Sequence, residues 1–197
     1  MIMIKVFTNL RRIASQFAVI ASLTLISSIA NAEMKSIEAG PQIGSKVADL
    51  NLLDQFSDKQ DLSNILGPEG AIIVLFRSAD WCPFCKRHLL ELNAEAEAFK
   101  QAGYGVTAIS YDSPEILRIF SQSNKLNYSL LSDQNVESFK ALKVVNAEYS
   151  AGDRHYGIPY PGVIVVNKNA EVVHKYFFEG YKQRVKFKQL LQTLTTK

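Results

Sequence analysis

The chain has 197 residues, 47% of them hydrophobic and 21% charged, with a formal net charge of +3. That balance excludes a disordered chain, and the length supports one domain with a proper core. Internal repeats, low-complexity tracts and heptads are missing from the sequence, which excludes a solenoid or a coiled coil.

Taken in chain order, the first 32 residues read as an export signal. Lys5, Arg11 and Arg12 give a basic start, Ile13 to Ala30 is apolar and uncharged, and Ala30-Asn31-Ala32 offers small residues for cleavage after Ala32. The competing reading is a retained anchor, since the apolar run approaches spanning length. Arg11-Arg12 lacks the rest of a twin-arginine motif, which favours the general secretory route and, in a Gram-negative cell, the periplasm. The leader holds three of the 22 basic residues and no acid, which leaves 19 basic against 19 acidic residues in the rest of the chain. A domain of residues 33–197 with no net charge and no basic stripe gives no reason to expect nucleic acid. Once the leader is cleaved, no stable membrane insertion is expected.

Residues 33–49 form an irregular arm broken by Gly40, Pro41 and Gly44. "DLNLLDQFSDKQDLS" (49–63) predicts a short hairpin, and "NILGPEG" closes it with turn residues. "AIIVLFRS" (71–78) is a continuous β-branched and aromatic run, which predicts a strand buried on both faces. Leu89, Leu92, Ala96 and Phe99 recur at helical spacing up to Gly103. "GVTAISY" (105–111) is a second buried strand. Asp112-Ser113-Pro114-Glu115 opens a helix with Pro114 in its first position and Ile116, Ile119 and Phe120 on one face. A short strand at Tyr128–Leu131 and a helix near Val136–Leu142 follow. After the loop "NAEYSAGDRHYGIPYP" come the strands "GVIVVNK" (162–168) and "EVVHKYF" (171–177), and Arg184–Leu194 reads as a closing helix. Strands alternating with helices require parallel pairing through crossovers, and the final hairpin adds an antiparallel edge. The expected class is α/β, with a central mixed sheet flanked by helices on both faces and a short N-terminal hairpin.

Both cysteines lie in "SADWCPFCKRH" (78–88). Cys82 falls where a buried strand gives way to a helix, and backbone N–H groups at a helix start favour a thiolate, so a lowered Cys82 pKa is expected. Lys86, Arg87 and His88 add positive charge one turn on. Cys85 lies within disulfide range, and Pro83 fixes the backbone between the two. Three other uses compete with a reversible dithiol–disulfide couple. A structural staple would close too small a loop to stabilise much. A zinc site lacks a second ligand pair, His155 and His174 being far off in sequence. In the third, Cys82 alone reacts and Cys85 only packs. The couple is the favoured reading and needs no metal or organic cofactor.

Asp80-Trp81-Cys82-Pro83-Phe84-Cys85 resembles the active site of thioredoxin-fold proteins. "AIIVLFRSADWCPFCKRHLLEL", "TAISYDSPE", "LLSD" and "IPYPGVIVVNKNAEVV" are similar to the alkyl hydroperoxide reductase/thiol-specific antioxidant branch, over about residues 41–195. The resemblance implies a thioredoxin-like fold with Trp81 packed beside the couple. It also implies a cis-proline, at Pro161 rather than Pro159, presenting the Tyr160 backbone to substrate. Tyr149, Tyr156 and Tyr160 are candidates to line the groove. Peroxidatic relatives carry Pro-x-x-x-Thr/Ser-x-x-Cys; counted back from Cys82, Leu75 and Ala79 replace the proline and the hydroxyl. The family's late-strand arginine has no match in "PGVIVV", and the register of Arg154 does not fit. Leu75 also occupies the place of thioredoxin's buried acid, leaving Glu69, Glu115 and Asp80 as candidate proton acceptors.

The sequence therefore favours thiol–disulfide exchange in which Cys82 attacks and Cys85 resolves. The partners expected are cysteine-containing exported proteins and a membrane redox partner. A thiol peroxidase ranks second, with peroxide as substrate, Cys82 peroxidatic and Cys85 resolving. A redox-switched binding module ranks third.

Overall fold

The computed structural model describes residues 35–47 and 49–196. The expected export signal, with its cleavage after Ala32, lies outside the described residues. Seven strands form one sheet: β1 Leu52–Asp54, β2 Lys59–Gln60, β3 Gly70–Leu75, β4 Tyr104–Ser110, β5 Ser129–Ser132, β6 Gly162–Asn167 and β7 Val172–Phe177. Their order is β2-β1-β5-β4-β3-β6-β7. β3 pairs parallel with β4, and β4 with β5, while β6 runs antiparallel to β3 and to β7. The expected mixed sheet is the one found, and β1 and β2 form the short hairpin.

The helices among the described residues are α1 Leu62–Ile65, α2 Pro83–Gln101, α3 Pro114–Asn124, α4 Glu137–Ala141 and α5 Phe187–Thr195. Side chains alternate across a strand, so each central strand feeds two cores. On one face Ile72, Val74, Ala108, Leu130, Val163 and Val165 meet Leu89, Leu92 and Phe99 of α2, Leu117 of α3 and Phe187 of α5. On the other, Ile73, Leu75, Ile109, Leu131, Ile164 and Val166 meet Leu62 and Ile65 of α1, Phe139 beside Leu142, and the arm residues Ala39, Val47 and Leu50. Burial on both faces is why the central strands are uninterrupted apolar runs; each fully buried large side chain contributes about 1.5–3 kcal/mol. The register of β3 on β6 depends on Gly70 at φ +141, where a Cβ would stand 1.9 Å from Val166 O.

Three local expectations change. The turn residues after the hairpin contain α1, because Asp61 caps it in a reciprocal capping box with Asn64. As Pro114 in the first helical position requires, Ser113 caps α3, and Asp112 before it points inward. The closing helix begins at Phe187, three residues later than expected, leaving Arg184 on an extended approach. The described residues contain no cis peptide bond, so the expected cis-Pro161 is trans. The residues before it are already paired: Val145 bridges Pro159, and Tyr160 N–H donates to Val144 O at 2.7 Å. A trans bond carries this extended segment straight into β6.

Candidate active site around Cys82 and Cys85

β3 ends at Leu75, and the chain crosses the sheet edge through Phe76–Trp81 before α2 begins. This crossing is held by one buried carboxylate. Asp112, at the end of neighbouring β4, accepts hydrogen bonds from the Ser78 hydroxyl at 2.9 Å, from Ala79 N–H at 2.6 Å and from the Ser110 hydroxyl at 2.9 Å. The Ser78 oxygen in turn accepts from the N–H groups of Asp80 and Trp81. Burial pushes the Asp112 carboxyl above its ordinary range, against the pull of these donors.

Cys82 is the N-cap of α2, and its sulfur accepts from Cys85 N–H at 3.3 Å; Pro83 takes the first helical position, where no donor is lost. Both sulfurs are covered, with Cys82 2% and Cys85 1% exposed. They share a hydrogen bond, and their surroundings are unequal. Cys85 Sγ receives the Cys82 thiol, the backbone N–H of Arg77 at 3.4 Å, the N–H of Ser78, and the Arg184 guanidinium at 3.9 Å. The Cys82 hydrogen bond is the largest of these influences, and together they outweigh burial and lower Cys85 to about 6. Cys82 is pushed up, chiefly because it is the donor to Cys85 and is itself desolvated. The expected partition is therefore reversed. A helix start supplies one N–H to Cys82, whereas the strand end, the crossing and a distant arginine converge on Cys85.

Trp81 is fixed on three sides. Its indole N–H donates to Tyr111 Oη at 3.1 Å, its ring stacks on His155 at 4.2 Å, and the Arg77 guanidinium lies 4.8 Å from its centroid. The same guanidinium is 4.8 Å from the Tyr181 ring, so Arg77 sits between two aromatic faces. Arg77 is buried, and its Nε has no hydrogen-bond partner among the described residues.

Continuing the β3–β6 register beyond Leu75 and Gly162 sets Pro161 beside Phe76 and Tyr160 beside Arg77, at the cysteine end of the sheet. Tyr160 N–H is committed to Val144, and its hydroxyl accepts from Ala147 N–H. Tyr149 stands edge-on to His155, and Tyr156 is exposed. None of the three proton-acceptor candidates contacts a cysteine: Glu69 precedes β3 at the far end of the sheet, Glu115 lies in the first turn of α3, and Asp80 is exposed. Sequence reasoning missed Asp112, Arg77 and Arg184. Asp112 was legible as an acid directly after a buried strand; the arginines carried no motif.

His88 does not supply the charge expected of it. It is buried, lies 3.1 Å from Val185 O and stacks on Phe187 at 4.4 Å; burial is the largest cause lowering its pKa to about 4. Unfolding restores the ordinary value of 6.5, so the unfolded chain binds a proton that the folded chain refuses until about pH 4. Stability is therefore expected to be full above pH 6.5 and to fall toward pH 4, by up to about 3 kcal/mol from this group. Urea titrations of the parent and His88→Leu at about pH 7 and about pH 4.5 check it: the variant should lose this part of the acid sensitivity.

Comparison with known proteins points one way. The AhpC/TSA family pattern matches residues 43–175. The chain is similar to chloroplastic peroxiredoxin Q of Sedum lineare, 30% identical over 162 residues that cover 81% of this chain and 82% of that protein. It is 29% identical to peroxiredoxin Bcp of Escherichia coli strain K12 over 108 residues, 55% of this chain and 68% of the relative. The solved structure of peroxidoxin BcpB from Mycobacterium tuberculosis superposes with a TM-score of 0.67 at 21% identity, covering 78% of this chain and 96% of that one.

Proposed function

The chain belongs to the AhpC/TSA family and is an oxidoreductase, and from that premise we propose that it is a thiol peroxidase in which a hydroperoxide oxidises Cys85 and Cys82 resolves the product. The second of the readings drawn from the sequence thereby moves ahead of thiol–disulfide exchange, with the roles of the cysteines exchanged. The observation that carries it is the cradle of two backbone N–H groups, a thiol and a guanidinium around Cys85 Sγ. It holds negative charge before the reaction begins. The motif supports the same assignment. Counted back from Cys85, the hydroxyl place of Pro-x-x-x-Thr/Ser-x-x-Cys falls on Cys82 and the proline place on Ser78, so a thiol donor stands where the hydroxyl donor is expected.

In the first step the Cys85 thiolate attacks one peroxide oxygen, the O–O bond breaks, and the other oxygen leaves with a proton as alcohol or water. The Cys82 thiol donates to Cys85 and is the nearest proton source. In the second step Cys82 sulfur attacks the Cys85 sulfenic acid, an S–S bond forms and water leaves. Both sulfurs are covered, which suits a small oxidant for the first step. An external thiol reductant closes the cycle by taking the disulfide back to the dithiol. The basic start, apolar run and Ala30-Asn31-Ala32 of the leader support a location outside the cytosol.

Trp81, the only tryptophan, reports on the pair. Mixing the reduced protein with hydrogen peroxide in a stopped-flow instrument should give a fluorescence change whose second-order rate exceeds that of free cysteine by on the order of 10²-fold or more. Thiolate is the reactive form, so the rate should be flat above about pH 7 and fall as pH drops through the Cys85 value of about 6. A rate like that of free cysteine, together with fast reaction toward disulfides, would return the protein to the exchange reading.

A further inference from the structure

Beside the cysteines, the first turns of α2 and the approach to α5 enclose a shallow depression lined by Arg87, His88, Glu91, Lys182, Arg184 and Lys186. Its wall carries four cations against one carboxylate, and His88 is neutral there. The ion pairs among the described residues are Lys35–Glu179 and Lys175–Glu38, so none of these cations is held in a salt bridge. Residues 33–197 as a whole balance their charges, which makes the excess local to this face. Arg184 joins the depression to the chemistry, because the same guanidinium that lines it lies 3.9 Å from Cys85 Sγ. Aromatic rings stand at the edge: Phe84 meets exposed Tyr181 edge-on at 5.5 Å, with Arg87 over Phe84 and Lys182 over Tyr181.

We propose that this basic and aromatic face docks the reductant of the disulfide, and that the reductant is a dithiol protein with acidic residues around its own cysteines. The inference rests on the Cys82–Cys85 couple passing through a disulfide. Charge of one sign beside a reactive centre steers a partner of opposite sign and fixes its orientation. The direction of attack follows from the cradle. A disulfide breaks toward the sulfur that is the better leaving thiolate, which here is Cys85 beside Arg184. The partner's thiolate therefore attacks Cys82 Sγ, the Cys82–Cys85 bond breaks, and a mixed disulfide forms on Cys82. The partner's second thiolate then attacks its own half of the mixed disulfide and releases Cys82. The partner is oxidised to a disulfide, the enzyme gains two electrons, and the two protons of the partner's thiols pass to the enzyme sulfurs or to water. Cys82 is covered, so the edge must open for this attack. Tyr181, 43% exposed and packed on Phe84 and Arg77, is the side chain that stands at that edge.

The test uses two synthetic dithiol peptides with one Cys-Gly-Pro-Cys centre, flanked in one by glutamates and in the other by lysines. The protein is oxidised with diamide, so the measurement does not depend on peroxide turnover, and its reduction is followed by Trp81 fluorescence. At about 10 mM salt the acidic peptide should react at least about tenfold faster than the basic one, and at about 0.5 M salt the gap should shrink to within about twofold. In Lys182→Glu/Lys186→Glu the preference should reverse at low salt, while the rate with uncharged dithiothreitol stays that of the parent. Equal rates for the two peptides, or a preference untouched by the charge reversal, would overturn the docking face. Failure of the peroxidase reading would show instead as no fast oxidation by peroxide, with the peptide preference intact.

Discussion

Replacing Cys85 by serine is expected to remove the fast reaction with peroxide, lowering its second-order rate by on the order of 10³-fold or more. Replacing Cys82 by serine should leave the first oxidation in place and strand Cys85 as a sulfenic acid. The asymmetry follows from what surrounds each sulfur. Cys85→Ser takes away the atom on which Arg77 N–H, Ser78 N–H and the Arg184 guanidinium converge. Cys82→Ser keeps that cradle and substitutes a hydroxyl donor for a thiol donor at the N-cap, a position serine favours. Rapid quenching with dimedone and mass mapping separates the two. An adduct on Cys85 in Cys82→Ser, with only slow labelling in Cys85→Ser, is the expected pattern. Fast labelling of Cys82 in Cys85→Ser would give the roles back to the order expected from the sequence.

Asp112→Ala should cost about 3 kcal/mol of folding stability, since it leaves the Ser78 hydroxyl, Ala79 N–H and Ser110 hydroxyl without their buried acceptor. Asp112→Asn keeps an acceptor oxygen and should recover most of the loss, which chemical denaturation of the three proteins will read. The role of this carboxylate extends past stability. It holds Ser78 and Ala79, and the N–H of Ser78 is one of the donors that acidify Cys85. The pH profile of iodoacetamide alkylation should therefore shift upward in Asp112→Ala and return in Asp112→Asn. A profile unmoved in the alanine variant would confine Asp112 to a structural part.

The elements that were legible in the sequence are those whose residues answer to the sheet alone. "AIIVL" and "GVIVV" are apolar at every position because helices or the N-terminal arm cover both faces, and they became β3 and β6 almost to the residue. Pro114 and Ser113 marked the start of α3 through local capping chemistry. The cysteines were visible as a pair because three-residue spacing at a helix start has few other uses. Their inequality was not. It arises from the hydrogen bond that the Cys82 thiol gives Cys85, from backbone donors whose direction is set by how Asp112 ties the crossing down, and from Arg184, 99 residues beyond Cys85. In the sequence Arg77 is no more than the tail of a strand run, and only the arrival of Tyr181 opposite Trp81 gives its charge a flat aromatic slot. Such contacts join segments that share no local pattern, so no period or motif announces them. The trans state of Pro161 has the same origin, the pairing of Pro159 and Tyr160 with residues 144 and 145.

The contact between Arg184 and Cys85 also sets an order in time. A chain made from its N-terminus presents both cysteines about a hundred residues before it presents the arginine. Until then Cys85 lacks the guanidinium of its cradle, and its thiolate is favoured by the Cys82 thiol and the backbone N–H groups of Arg77 and Ser78. The cradle is complete only when the segment that carries Arg184 has packed beside α2. Cys85 is thus at its most acidic at the end of folding, and its reactivity rises in a last step as the C-terminal segment docks.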